Sequence, residues 1–174
     1  PDDKTVIAGA FQSFNAVGRN RIARLNLNGS LDTSFNPGSG ANNSITALAR
    51  TTTGKYLIGG GFTAFNGTPR AHVARLNNNG SLDTAFTPGS GPDGWVWAIA
   101  EQPDGKVIIA GEFTSIGGNP HAHIARLNTN GVLDATFSTA FNPPDGNIWA
   151  IALQPDGKII IGGEFYAVGG LICG

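Results

Sequence analysis

The chain has 174 residues, a formal net charge of −1 and only 13% charged residues. That length holds one domain with a real core, and the sparse charge shows no basic stripe of the kind that grips nucleic-acid phosphates. The longest apolar runs, such as Val107–Ala110 and Ile159–Ile161, are far too short to cross a bilayer.

Glycine is abundant at 26 residues, and no stretch of ten or more keeps a helical period before Gly, Pro or Asn interrupts it. Such a chain is built from strands and turns. No signal or transit segment is visible. Methionine is absent even from the first position, so the chain reads as a piece of something longer. Cys173 is the one cysteine and cannot form an internal disulfide; it reads as an incidental thiol.

In chain order, Asp2-Asp3-Lys4 is a degraded turn that opens an apolar strand ending at Phe11. Ala23-Arg24-Leu25-Asn26 follows as the next long strand, then Asn28-Gly29-Ser30-Leu31-Asp32, and the Pro/Gly-rich segment Asn36–Asn43 crosses to a second copy. That copy runs through Ile45–Ala49, the turn Thr53-Gly54-Lys55, a strand ending at Phe62, then Ala74–Asn77 and Asn79–Asp83, and crosses again over Thr87–Gly94.

The third copy is the clearest. Trp95–Ala100 is a strand apolar on both faces, with Trp95, Trp97 and Ile99 on one and Val96, Ala98 and Ala100 on the other. Gln102-Pro103-Asp104-Gly105-Lys106 turns the chain into a second strand, Val107–Phe113. A long loop, Thr114–His121, precedes a third strand, His123–Leu127, and Asn128–Gly131 turns into a short fourth strand around Leu133–Phe137. A type I turn with a bulge at Gly131 sets Arg126 opposite Asp134, and by the same count Arg24 opposite Asp32 and Arg75 opposite Asp83. These three ion pairs are expected to be structural, one per copy. A fourth copy starts at Ile148–Ala152 and reaches Phe165 through Gln154–Lys158.

The leading lysines Lys4, Lys55, Lys106 and Lys158 are spaced by 51, 51 and 52 residues. Four antiparallel strands per period, repeated in series, predict an all-β partial β-propeller of about three and a half repeats, near 1–43, 44–94, 95–146 and 147–174, in one domain. The compound pattern Gln-Pro-Asp-Gly-Lys, Gly-Glu-Phe, Ile-Ala-Arg-Leu-Asn and Asn-Gly-Ser-Leu-Asp-Thr-Ser-Phe resembles the delta-60 repeat over nearly the whole chain, and the Gly-Gly after the second strand is more distantly similar to kelch repeats. The resemblance implies a propeller-like fold from large, mostly bacterial, secreted or cell-surface proteins. It implies no enzymatic activity and carries over no catalytic residue.

Candidate chemistry is thin. Asn26, Asn28, Ser30 and Asp32 alternate like a calcium loop but lack its acidic density, and a hairpin turn explains them. His72, His121 and His123 have no neighbouring ligand partners, so no metal and no cofactor is expected. Glu112 and Glu164 share one repeat position, where a hydrolase pair is conceivable and nothing supplies a cleft. Trp97 and Trp149 are read as core between repeats. Trp95, beside Asp93, is the candidate sugar platform, with His121, His123, Arg70 and Asn147 on loops of the same propeller face. The function expected is a non-enzymatic structural or interaction module whose partners are further blades of the same polypeptide or neighbouring copies. A carbohydrate-binding propeller, with glycans as partners, is the alternative, and a fragment of a propeller glycoside hydrolase the third reading; neither nucleic-acid binding nor membrane insertion is expected.

Overall fold

The computed structural model describes residues 3–137 and 144–168 and the backbone of 171–172; Cys173 lies outside them. All regular structure among the described residues is β. Repeat I contains β1 (Thr5–Ala8), β2 (Ser13–Phe14), β3 (Val17–Gly18) and β4 (Ile22–Leu25). Repeat II has β5 (Ile45–Arg50), β6 (Tyr56–Gly60), β7 (Ala64–Phe65), β8 (Thr68–Pro69) and β9 (Val73–Leu76). Repeat III has β10 (Val96–Glu101), β11 (Val107–Gly111), β12 (Ser115–Ile116), β13 (Asn119–Pro120) and β14 (Ile124–Leu127). Repeat IV has β15 (Asn147–Leu153), β16 (Ile159–Glu164), β17 (Ala167–Val168) and β18 (Leu171–Ile172).

The antiparallel sheets β5-β6-β9 and β10-β11-β14 are three-stranded. The fourth strand expected around Leu133–Phe137 is reduced to a single bridge, Leu127 with Leu133, repeated as Leu76 with Leu82 and Leu25 with Leu31. The cause is the aspartate that follows. Asp134 Oδ1 accepts the backbone N–H of Thr136 at 3.0 Å, and Phe137 N donates to Asp134 O at 3.0 Å, so the chain curls before a ladder can extend. The hairpin itself has the expected register: Asn128 N donates to Val132 O and Asp134 N to Arg126 O. The segment Thr114–His121, read as one long loop, contains the small β12–β13 hairpin, turned by Gly117 and Gly118 with φ of 59° and 80°.

Strict alternation also fails in the first strands. The β10–β11 register slips by one residue between Val96 and Ala98, which makes Trp97 a bulge. Val96 therefore shares a face with Ile99, toward repeat II, and Ala98 faces repeat IV. Thr46 and Trp149 are the same bulge in β5 and β15. The bulge drives the carbonyls of Ser44, Trp95 and Asn147 against Gly60, Gly111 and Gly163, where a Cβ would collide with them.

Three apolar layers lie between successive repeats. The first joins Ile22 and Phe35 to Tyr56, Ile58 and Leu76. The second joins Leu57, Val73 and Phe86 to Ile109, Phe113 and Leu127, and the third joins Ile108 and Ile124 to Ile148. In each, one side chain of the next first strand seats on a small residue of the previous second strand. Ile45 packs with Ala8, Val96 with Gly59, and Ile148 with Ala110. β6 and β11 are buried along their whole length because a repeat covers each face.

The Asn-Gly turns of repeats II and III each lean on the repeat before. Asn36 N donates to Asn79 O and Thr87 N to Asn130 O, both at 2.7 Å. Gly80, at φ 88°, lies so close to the Asn36 backbone that a Cβ would meet it at 3.1 Å, whereas Gly29, at φ 77°, has nothing within 4 Å. Both glycines resist substitution by conformation, and only Gly80 also resists by packing. Gly29→Ala should cost about 1 kcal/mol for its left-handed backbone, and Gly80→Ala about 1–3 kcal/mol more from overpacking. Chemical denaturation of the two variants checks this; equal losses would contradict the inter-repeat contact.

Candidate functional site

The best-built polar constellation recurs three times. Asp32 Oδ2 accepts Arg24 Nε at 2.6 Å and Lys4 Nζ at 2.9 Å. Asp83 takes Arg75 at 2.6 Å and Lys55 at 2.7 Å, and Asp134 takes Arg126 at 2.8 Å and Lys106 at 2.9 Å. All three aspartates are buried. Each arginine also lies over the phenylalanine three residues past its aspartate, 5.1 Å from the Phe35 ring, 4.8 Å from Phe86 and 4.9 Å from Phe137. The free arm of the guanidinium crosses to the next repeat: Arg24 Nη1 donates to Asn78 O and Arg75 Nη1 to Thr129 O, both at 2.7 Å.

These carboxyls sit well below the usual carboxylate range. At Asp32, burial pushes the group up, but donors from Ser34, Lys4 and Arg24 outweigh it. At Asp83, Lys55 and Arg75 likewise override burial, and at Asp134 the Lys106 ammonium is the largest influence.

The residues proposed for ligand binding are brought together only in part. Asp93, His121 and His123 meet around the loop after β11. Asp93 accepts the backbone N–H of Thr114 at 2.7 Å and of Ser115 at 2.9 Å, and both hydroxyls as well. His121 N donates to Thr114 O at 3.0 Å, and His123 Nδ1 lies 3.2 Å from Gly111 O. Trp95 is half-buried, stacked on Trp97 with ring centroids 4.9 Å apart, and its indole lies against Gly61 of repeat II. Arg70 belongs to repeat II and folds onto Pro69 O at 2.8 Å, and Asn147 belongs to repeat IV, opposite Glu164. Asp93 is thus a clamp that ties the inter-repeat segment to the next loop. Asn42, on Thr63 and Ala64, and Asp145, on Tyr166 and Ala167, hold the same place. Its carboxyl is also held low, with burial outweighed by the donors of Ser115 and Thr114.

Glu112 and Glu164 stand exposed at the ends of the second strands of different repeats. The Asn26–Asp32 turn is closed on itself, with Asn28 Oδ1 accepting Ser30 N at 3.0 Å. Among the described residues no group of three or more His, Cys, Asp or Glu is placed to hold a metal. Among the described residues no helix is long and apolar enough to cross a membrane.

One face departs from the pattern. Trp149 is 55% exposed and Ile160 54%, whereas Ile108, the counterpart of Ile160 in repeat III, is fully buried. Trp149, read as core from the sequence, is thus a surface residue, because no described residue packs on that side of repeat IV. Beside it the fourth small seat, Gly162, is exposed, and a Cβ there would touch only Ala150 of its own repeat.

The model of a beta-propeller domain of unknown function, DUF5122, matches residues 1–35, 51–86, 102–137 and 154–171, well over half of the chain. The chain belongs to the DUF5122 beta-propeller family. No curated protein matches it. The four matched segments each begin near a second strand, and the first three run to the phenylalanine under the arginine, so each of those three holds one Lys–Asp–Arg cluster.

Sequence reasoning missed the lysine's part in that cluster. The signal was present: each lysine precedes its aspartate by 28 residues in all three DUF5122 repeats that show the pair. The Asn42, Asp93 and Asp145 clamps left only the weaker signal of an Asx residue recurring ahead of each first strand.

Asp83→Ala should destabilise by about 3 kcal/mol, the low end for breaking a buried ion pair, because Lys55 and Arg75 keep some access to water. Depressed aspartates stabilise fully above the unfolded pKa of about 3.9, and that stability is lost as pH falls through this value toward the folded one. Unfolding followed from pH 7 to pH 2 should therefore steepen below about pH 4, and less so in Asp83→Asn. An unchanged acid profile in that variant would refute the role of the carboxylate.

Proposed function

We propose that the chain is a non-enzymatic scaffold module of a larger secreted or cell-surface protein, and that its work is to pack against further repeats of its own kind. The observation that carries this reading is the uncovered face of repeat IV. Trp149, Ile160 and Gly162 form there the same seat that Val96 fills on Gly59 and Ile148 fills on Ala110. An apolar seat built four times, covered three times and open once, has the composition of a protein-docking surface. The covering element is a first strand with a branched apolar residue at the knob position, from the same polypeptide or a neighbouring copy. The delta-60 resemblance supports the extracellular setting.

The polar side chains support the same reading. The candidate ligand-binding aspartate has both oxygens committed to backbone and hydroxyl donors, and Trp95 is stacked on Trp97 and lies against Gly61. A sugar platform needs a free acceptor beside an open ring.

Sedimentation of the 174-residue chain across a concentration series tests the docking face. The wild type should self-associate, and Ile160→Lys, which places a charge in the seat, should shift the particle to the monomer. A lysine variant that associates as strongly as the wild type would overturn the reading, and a wild type that stays monomeric throughout would restrict it to covering repeats of the same polypeptide.

A further inference from the structure

The turns that join first to second strands enclose a pocket that does not depend on the docking face. It has a volume of about 390 Å³ and spans repeats II, III and IV, where Thr52, Glu101, Gln102, Pro103, Leu153 and Pro155 line it. Most of its wall is apolar, supplied by the two proline rings and Leu153. An apolar wall with a few placed polar groups is the make-up of a small-molecule site.

Two adjacent seams differ at this place. Between repeats II and III, Glu101 Oε2 accepts the backbone N–H of Thr52 at 2.6 Å and ties the two turns together. One repeat further on, the same two positions are Leu153 and Pro103. Leucine has no acceptor and proline no N–H, so the tie cannot form there. Leu153 joins the apolar layer with Ile108 and Ile124 instead. Two acceptors are then left unused. Glu101 is the one charged residue in the lining, and among the described residues no cation pairs with it and no donor reaches its Oε1. The lysines of the same turns are committed elsewhere, Lys55 to Asp83, Lys106 to Asp134 and Lys158 to Asp156. Gln102 Oε1 is buried with no hydrogen-bond partner, a state that folded proteins rarely leave without a use.

We propose that this pocket binds an organic cation, a primary ammonium on an apolar stem, supplied as a free amine or as a lysine side chain. The ammonium donates to Glu101 Oε1 and to Gln102 Oε1. The stem lies along Pro103, Leu153 and Pro155 and leaves water. An ammonium carries three donors and no acceptor, so it answers both open acceptors at once. An anion of the same shape meets the Glu101 charge and is turned away, and a neutral alcohol can donate to only one of the two oxygens. Thr52 holds the carboxylate in place through the oxygen that the ligand does not use.

The test titrates the isotope-labelled 174-residue chain with three probes that share one stem, n-hexylammonium, 1-hexanol and hexanoate, and follows amide chemical shifts. Hexylammonium should bind saturably and move the amides of Thr52, Gln102 and Gln154. Hexanol should bind at the same place about tenfold more weakly, for want of the charge-assisted bond, and hexanoate should not bind. Glu101→Gln keeps an acceptor for Thr52 and removes the charge. It should weaken hexylammonium about tenfold and leave hexanol unchanged, which separates loss of the charge from damage to the pocket. Nα-acetyl-lysine methylamide, titrated beside hexylammonium, tells the two sources apart, the tighter of the two being the one the site is built for. Equal binding of the three hexyl probes, shifts confined to another part of the chain, no binding of any ammonium, or a Glu101→Gln protein that binds hexylammonium as the wild type does would overturn the proposal.

Discussion

A single carboxylate in each of the first three repeats ties together segments that have no other reason to meet. Asp32 receives a lysine from the start of the second strand, an arginine from the third, and the hydroxyl and amide of Ser34. Its two oxygens are thereby saturated, which is what makes a buried charge tolerable. The same residue curls the chain so that Phe35 falls beneath the arginine. Remove the carboxylate and two cations lose their partner, the turn loses its acceptor, and the aromatic loses the lid that holds it in the layer between repeats.

From that anchor the repeats are joined in series. The arginine that binds its own aspartate spends its remaining donors on the Asn-Gly turn of the following repeat. The turn is glycine because it needs a left-handed residue and because the neighbouring backbone leaves no room for a side chain. Ion pair, turn and interface are therefore one device. Its conformational demands explain why Asn, Gly and Asp recur at fixed intervals while surface positions drift, as between Leu27 and Asn78 in the loop.

Much of this was legible in the sequence where local chemistry decides the outcome. Pro-Asp-Gly and Asn-Gly turns fix hairpin registers, and the Arg126–Asp134 pairing follows from counting residues across one such turn. What was illegible depends on partners distant in sequence. The bulge at Trp97 reverses the parity of β10 through a close approach to Gly111, so a strict two-residue period misassigned Val96. The sequence position of Trp149 matches that of Trp97, yet exposure is a property of what packs outside the strand. Asp93 looked available because its four donors come from residues 21 and 22 positions away.

The seat and its knob lie on opposite sides of a repeat. The surface that presents Gly162 is a different surface from the one that presents Ile45 or Val96, so the contact has a direction. Two copies meeting through such a contact cannot be related by a two-fold axis, because neither offers the other the patch it uses itself. The resulting geometry is head-to-tail: it either closes on itself after a fixed number of units or continues without limit. A repeat that joins its neighbours this way measures out rings or fibres, and the small rotation from one repeat to the next decides which.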